Sequence, residues 1–259
     1  MAINPSSQYA DDTNLRTRQQ LWALQDPPFD LVGWVLDLAG VDGGERVLDV
    51  GCGNGAYLRA LRGRRVDALG CDLSLGMLAV ARGHQPVVNA DATALPLRTD
   101  SVGVVLAPHM LYHVPDRAAA VRELRRVLVP GGACVAVTNG AAHMRAVKTF
   151  VETAVRTAHP EWEMRGQLST AFSLENGTEQ LRAGFDDVAC VRPSGVGAVV
   201  VRDARVVADY VASVGDHYEQ EVDLPWDDVV AFVRDEVQRV IDADGAFLVH
   251  GDTGAFVCR

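Results

Sequence analysis

From Arg46 onward, short apolar runs alternate with amphipathic stretches of helical spacing. Val47–Val50, Val66–Cys71, Pro86–Val88, Ser101–Leu106 and Ala133–Thr138 read as strands. Residues 55–63, 75–82 and 117–128 carry their apolar side chains on one helical face. Nearly continuous apolar strands separated by helices predict an α/β fold: a doubly wound, mostly parallel sheet covered on both faces, with right-handed crossovers. Ahead of this rhythm, residues 15–24 and 29–39 read as two amphipathic helices parted by Asp26-Pro27-Pro28. After Asn139 the rhythm changes. Helices are expected over 141–157, about 174–183, 203–214 and 226–242, and a strand over 185–192. Two short strands should flank a Gly251-Asp252-Thr253-Gly254 turn at the end. No repeat, low-complexity tract or linker breaks the chain, so residues 1–259 are expected to form a single domain.

Composition narrows the classes of function. The chain has 259 residues, 48% of them apolar, and a formal charge of −10. Nucleic-acid phosphates demand a basic face, so that charge predicts no nucleic-acid partner. The clusters Arg62/Arg64/Arg65 and Arg122/Arg125/Arg126 fall on or beside predicted helices and read as solvated faces. No apolar run approaches the ~20 residues of a membrane span, and the first residues lack the features of a signal peptide, so a cytoplasmic protein without a membrane partner is expected. The five cysteines form no CxxC pair and no metal-ligand spacing, which predicts reduced, mostly buried thiols and no metal site. Asp26-Pro27-Pro28-Phe29 matches the D/N-P-P-Y/F signature of amino-methylating enzymes. That motif must follow the fourth strand, whereas here only 25 residues and no predicted strand precede it. It is read as a helix-to-helix turn.

Candidate chemistry concentrates in Val47-Leu-Asp-Val-Gly-Cys-Gly-Asn-Gly-Ala-Tyr-Leu58, a strand running through Gly51, Gly53 and Gly55 into a helix. Such a turn is expected to offer free backbone N–H groups and a positive helix end to a ligand that approaches too closely for a Cβ. Gly51, Gly53 and Ala56 also satisfy the dinucleotide pattern G-x-G-x-x-G/A, so the glycines leave the cofactor class open. Asp49 separates the candidates by charge, because a carboxylate repels a pyrophosphate and attracts an ammonium or sulfonium cation.

Further features fall at predicted strand ends, where open α/β sheets bind ligands. They are Asp72 in GCDLSLGML, Asp91 in NADATALP, the segment HMLYHVPD after the fourth strand and LRRVLVPGG before the fifth. With VLDVGCGNG these segments, in this order and spacing, resemble class I S-adenosylmethionine-dependent methyltransferases. The small-molecule type of ubiquinone/menaquinone biosynthesis and natural-product tailoring is the nearest likeness. It is dense from about 45 to 138 and thinner across 174–192 and 254–259. One departure is Ser101-Val102-Gly103, where the family often carries Phe-Asp.

The resemblance implies a Rossmann-like sheet of seven strands with an antiparallel last strand over Ala255–Cys258, and added lid helices. Residues 1–44 would supply the lid, 45–140 the cofactor-binding core and 141–259 the substrate side. It implies S-adenosyl-L-methionine as cofactor, leaving S-adenosyl-L-homocysteine. Asp49, Gly51, Gly53, Gly55 and the carbonyl near Ala107 would hold the methionine part and the turn. Asp72 would bind the ribose, Leu73 and Met77 would flank the adenine, and Asp91 with Ala92 would read its edge.

Methyl transfer is an in-line displacement in which alignment supplies most of the acceleration. A base is needed only when the acceptor must lose a proton. His109 is the candidate base, with a pocket-shaping role as the competing assignment; His113 ranks behind it. The acceptor pocket is expected from Tyr9, Arg18, Trp22, His143, Met144, Phe150, Trp162 and Phe172, with His217, Tyr218 and Trp226 as a further wall. These side chains suit a medium-sized organic acceptor; the resemblance implies a small organic molecule, a secondary metabolite, methylated on O or N. C-methylation of a quinone-like metabolite, a non-catalytic S-adenosylmethionine-binding protein and a nicotinamide oxidoreductase are the alternatives.

Overall fold

The computed structural model describes residues 11–162, 168–215 and 224–259. In chain order these form α1 (Thr13–Trp22), β1 (Gln25–Asp26), α2 (Leu31–Leu38), β2 (Arg46–Val50), α3 (Ala56–Gly63), β3 (Asp67–Asp72), α4 (Leu75–Ala81), β4 (Val87–Asn89) and β5 (Val102–Pro108). There follow α5 (Arg117–Val127), β6 (Leu128–Asn139), α6 (Arg145–Ala158), α7 (Leu168–Ala171), α8 (Gly177–Leu181), β7 (Val188–Val191) and β8 (Ala198–Val201). The last elements are α9 (Ala204–Ala212), α10 (Trp226–Asp244), β9 (Phe247–Val249) and β10 (Thr253–Cys258).

Seven strands make the main sheet in the order β4-β3-β2-β5-β6-β10-β7. β2 pairs in parallel with β3 and β5, β3 with β4, and β5 with β6, whereas β10 runs antiparallel to both β6 and β7. The doubly wound, mostly parallel sheet with an antiparallel last strand is therefore as expected.

Side chains alternate across each strand, so successive residues feed two cores. Leu48, Val105 and Ala136 pack on one face with Val121 and Leu124 of α5 and with Phe172 and Phe256. Val47, Val104 and Val135 pack on the other with Leu36 of α2 and Leu58 and Leu61 of α3. Each such fully buried aliphatic side chain contributes about 1.5–3 kcal/mol. Asp49 shares the second face with Val47, which puts a carboxyl where its neighbours place methyl groups.

A third core stands apart from the sheet. Leu21 of α1, Val151 and Val155 of α6, Val207 and Val211 of α9 and Val229, Val233 and Val237 of α10 close over Val199, Val201, Phe247 and Val249. These last four belong to a small antiparallel sheet, β1-β8-β9.

That sheet corrects the sequence reading in three ways. β8 was not expected, and the two C-terminal strands do not make a hairpin: β9 joins β8, while β10 enters the main sheet. A two-residue strand does precede Pro27, so Asp26-Pro27-Pro28-Phe29 leads from β1 into α2 rather than directly from helix to helix. Other bounds move inward. The helix expected over 174–183 is confined to Gly177–Leu181, and the strand over 185–192 to Val188–Val191. β6 starts earlier than expected, at Leu128, and pairs irregularly with β5 between Val102 and Val104. Among the described residues no helix is long and apolar enough to cross a membrane.

Candidate functional site

The carboxyl ends of β2, β3 and β5, α1 and the third core enclose a cavity of about 1500 Å³. Ligand pockets commonly measure about 300–1,000 Å³, so this one has room for two reactants side by side.

Its floor is the glycine turn. Gly51, Gly53 and Gly55 take φ of 68°, 53° and 81°, which other residues adopt rarely. A Cβ on Gly51 would lie 2.6 Å from Cβ of Met110. Gly55 serves differently: it caps α3 against Ala81 and is absent from the cavity wall. The amides of the turn are largely engaged. Gly51 and Cys52 donate to the Cys71 carbonyl at 2.8 and 3.0 Å, Gly53 to Oδ2 of Asp72 at 2.8 Å, and Gly55 to the Cys52 carbonyl at 2.9 Å. The open N–H cradle anticipated for the turn is thus not formed by these four amides: β3 satisfies three of them, and the Cys52 carbonyl within the turn satisfies that of Gly55.

What the turn presents is acid. Asp72 closes β3 with Oδ2 bound to Gly53 and Oδ1 accepting from the Ser74 N–H at 2.8 Å. Both oxygens keep lone pairs for a diol. Burial, opposed by those bonds, raises its pKa. Asn89 donates to the carbonyls of Asp72 and Leu73 at 2.9 Å and fixes the loop that carries them. Asp91 is held through Oδ1 by the N–H and Oγ1 of Thr93, each at 2.8 Å. Asp91, buried Ala92, buried Met77 and Leu73, itself 60% exposed, all line the cavity.

Asp49 lies beneath the turn rather than on the wall. It is fully buried, and among the described residues neither carboxyl oxygen has a hydrogen-bond partner; the nearby Tyr57 hydroxyl is likewise unpartnered there. Burial, then the charge of Asp72, pushes Asp49 up to about 8. Ala107 is buried inside β5, which runs on to Pro108, so Pro108 and His109 form the wall expected near Ala107.

His109 follows with φ 53°, its backbone N–H donating to the Val137 carbonyl at 2.9 Å. Desolvation lowers its pKa to about 4, so the imidazole rests neutral. His113 lines the cavity against Tyr112, with ring centroids 4.5 Å apart.

The other half of the cavity is walled by α1, α6, α9 and the segment before β10. Arg18, Trp22, His143 and Met144 line it as expected. Phe150, Trp162, Phe172 and Trp226 do not: Phe150 stacks on Phe247, Trp162 packs on the third core, Phe172 meets Phe256 and Trp226 donates to the Val211 carbonyl. Tyr9, His217 and Tyr218 lie outside the described residues. Phe29, Lys148, Arg192 and Asp252 line the wall without having been singled out. For Lys148 a signal existed, since it is the only lysine of the chain.

α1 roofs the turn. Leu15 covers Gly53, Asn54 donates to the Gln19 side chain at 3.4 Å, and Arg18 donates to the Ser213 carbonyl at 2.6 Å.

Residues 48–136 match the family model described as a methyltransferase domain. The ubiquinone biosynthesis O-methyltransferase of Bordetella bronchiseptica is 38% identical over 109 residues, covering 39% of this chain and 45% of that protein. The chain thus spans about half the length of the curated relatives it matches. A provisionally assigned methyltransferase from an antibiotic biosynthesis pathway of Anabaena variabilis superposes with a TM-score of 0.64 at 14% identity, over 88% of this chain and 96% of that one. A Haemonchus contortus phosphoethanolamine N-methyltransferase, solved with S-adenosylhomocysteine, superposes with a TM-score of 0.52 at 20% identity, over 88% of this chain and 51% of that one. The fold is the Rossmann-like one these structures share. Over 48–136 the chain carries a methyltransferase domain of the class I, S-adenosylmethionine-dependent kind, resembling ubiquinone-biosynthesis enzymes.

Proposed function

We propose that this chain, built on a class I methyltransferase core, transfers a methyl group from S-adenosylmethionine to an oxygen of a small organic acceptor, a secondary metabolite. One observation carries the reading: Asp49 is a buried carboxyl without a partner among the described residues, directly beneath a turn at a cavity that Asp72 and Asp91 line. Three acids around one end of a cavity suit a ligand bearing ammonium and sulfonium charge. The relatives' O-methylation favours oxygen over nitrogen as the atom modified.

Bound there, S-adenosylmethionine supplies an activated, electrophilic methyl group. The rest falls to the chain. Asp72 takes the ribose hydroxyls, Asp91 and the Ala92 N–H take the adenine edge, and Leu73 and Met77 sandwich the ring. Asp49 gives up its proton to face the ammonium. α1 covers the turn and excludes water. His109, at the carboxyl end of β5 and neutral, receives the acceptor's hydroxyl proton at a ring nitrogen as the oxygen attacks. His113 orients Tyr112 and takes no proton.

The test is a calorimetric titration of the purified protein with S-adenosylhomocysteine and, separately, NAD(H). It is paired with a mass-shift screen of hydroxylated metabolites in the presence of S-adenosylmethionine. Tight binding of S-adenosylhomocysteine and a product heavier by one methyl group are expected. Tight binding of NAD(H) alone overturns the reading, and donor binding without product from any acceptor or cell extract reduces it to a donor-binding protein.

A further inference from the structure

The cavity has two electrical ends. Asp72 and Asp91 line the donor end, with Asp49 beneath it, while the far wall carries Arg18, Lys148 and Arg192 against Asp252. A basic wall in a chain of charge −10 is a local reversal of the overall balance.

Its members differ in how they are used. Arg192 is ion-paired with Asp252, and Arg18 donates to Ser213. Lys148, half-buried on α6, makes no side-chain hydrogen bond or ion pair among the described residues. Burial lowers its pKa first, then the charge of Arg145; Asp252 and Glu175 act the other way. An ammonium held in this fashion gains from a carboxylate brought to it.

His143 stands beside it. The Asp252 N–H donates to Nδ1 of His143 at 3.2 Å, so the neutral ring carries its proton on Nε2. The ring is 8% exposed, lies 5.2 Å from that of Trp22, and its Nε2 has no partner among the described residues. Burial, then the charge of Lys148, pushes this imidazole down to about 3, which keeps it a donor at any physiological pH. A cation and a fixed N–H donor thus share one wall, and the surfaces around them (Trp22, Val147, Val151) are apolar.

We propose that the methyl acceptor is an amphipathic organic carboxylate, its charge held by the Lys148 ammonium, one oxygen taking Nε2–H of His143, and its apolar body lying along Trp22, Val147 and Val151. This deepens the methyltransferase reading and rests on it. Lys148 is the specificity-determining residue and takes no part in proton transfer. The bipolar cavity orients the two reactants: the cationic donor is drawn to the acidic end and the anionic acceptor to the basic end, so neither competes for the other's place.

The experiment uses wild type, Lys148→Met and Lys148→Arg, each loaded with S-adenosylhomocysteine. Calorimetry measures binding of hydroxybenzoates of increasing alkyl length and of their matched carboxamides. In wild type the acids should bind about tenfold or more tightly than the amides. Lys148→Met should bring that ratio close to one, and Lys148→Arg should retain most of it. Equal binding of acid and amide by wild type, an unchanged ratio in Lys148→Met, or no binding of either series overturns the proposal while leaving the donor site intact. Failure to bind S-adenosylhomocysteine overturns the methyltransferase reading itself, and the proposal with it.

Discussion

Replacing Asp49 by Asn isolates the sealed carboxyl at the end of β2. The carboxyl is fully buried without a partner, and its pKa stands at about 8 in the native state against an ordinary 3.8. Between those values the native protein holds a proton that the unfolded chain has released. The unfolded state then binds fewer protons, so stability falls as pH rises, by about 1.4 kcal/mol per unit. The whole effect, from about pH 4 to about pH 8, amounts to roughly 5–6 kcal/mol. Asn keeps the shape and never ionises. The difference in unfolding free energy, Asp49→Asn minus wild type, should therefore grow by about 4 kcal/mol between pH 5 and pH 8. Urea unfolding of the ligand-free proteins at about four pH values reads this directly, provided the m-value is unchanged. Asp72 also titrates with a raised pKa; the effect of its own burial is common to both proteins, and only its repulsion of an ionised Asp49 remains in the difference. Saturating S-adenosylhomocysteine should flatten the wild-type dependence, since its ammonium lets Asp49 ionise in place. A difference that stays level with pH would refute the reasoning.

Asp72→Ala should weaken S-adenosylhomocysteine binding by about 10²-fold or more, since two bonds to a charged acceptor are lost at about 1.5–3 kcal/mol each; unaltered affinity by calorimetry contradicts the ribose role. His109→Gln should lower turnover by about 10² or more, and the wild-type rate should show no inflection near pH 6.5, falling only towards about pH 4, because the imidazole is neutral above that value. Turnover within about threefold of wild type at saturating acceptor removes His109 from proton transfer. Gly51→Ala, at φ 68° with a Cβ 2.6 Å from Met110, should destabilise the protein by about 2–4 kcal/mol in chemical denaturation, and a loss under about 0.5 kcal/mol would mean that the turn is slack.

The parallel core was legible because its signals are local. Val47–Val50 is a short apolar run that stops at glycine, and Asp72 and Asp91 fall where strands end. The substrate side was harder for a physical reason. Its small sheet is held by pairings between distant short strands, Gln25 with Val199 and Val199 with Val249, and two to four residues carry too little periodicity to declare themselves. Phe172 and Trp162 looked like pocket aromatics, but only packing decides whether a large ring faces a cavity or a core. Asp49 was legible as an acid beside the glycine turn and illegible as a sealed one. Its face is set by strand alternation, while its isolation depends on Tyr57 and Cys52 closing around it.

The place of β10 bears on how the chain reaches its native state. Five parallel strands, β2 to β6, are complete by Asn139, yet β6 then ends the sheet with an open edge. The strand that covers that edge arrives 114 residues later, when Thr253 pairs with Asn139, and β7 can join only through it. During synthesis the first half therefore emerges with a long, apolar edge whose hydrogen-bonding groups are exposed, the kind of surface that pairs with other chains. Loss of Ala255–Cys258 should leave a protein that still builds its donor-binding half but aggregates through β6.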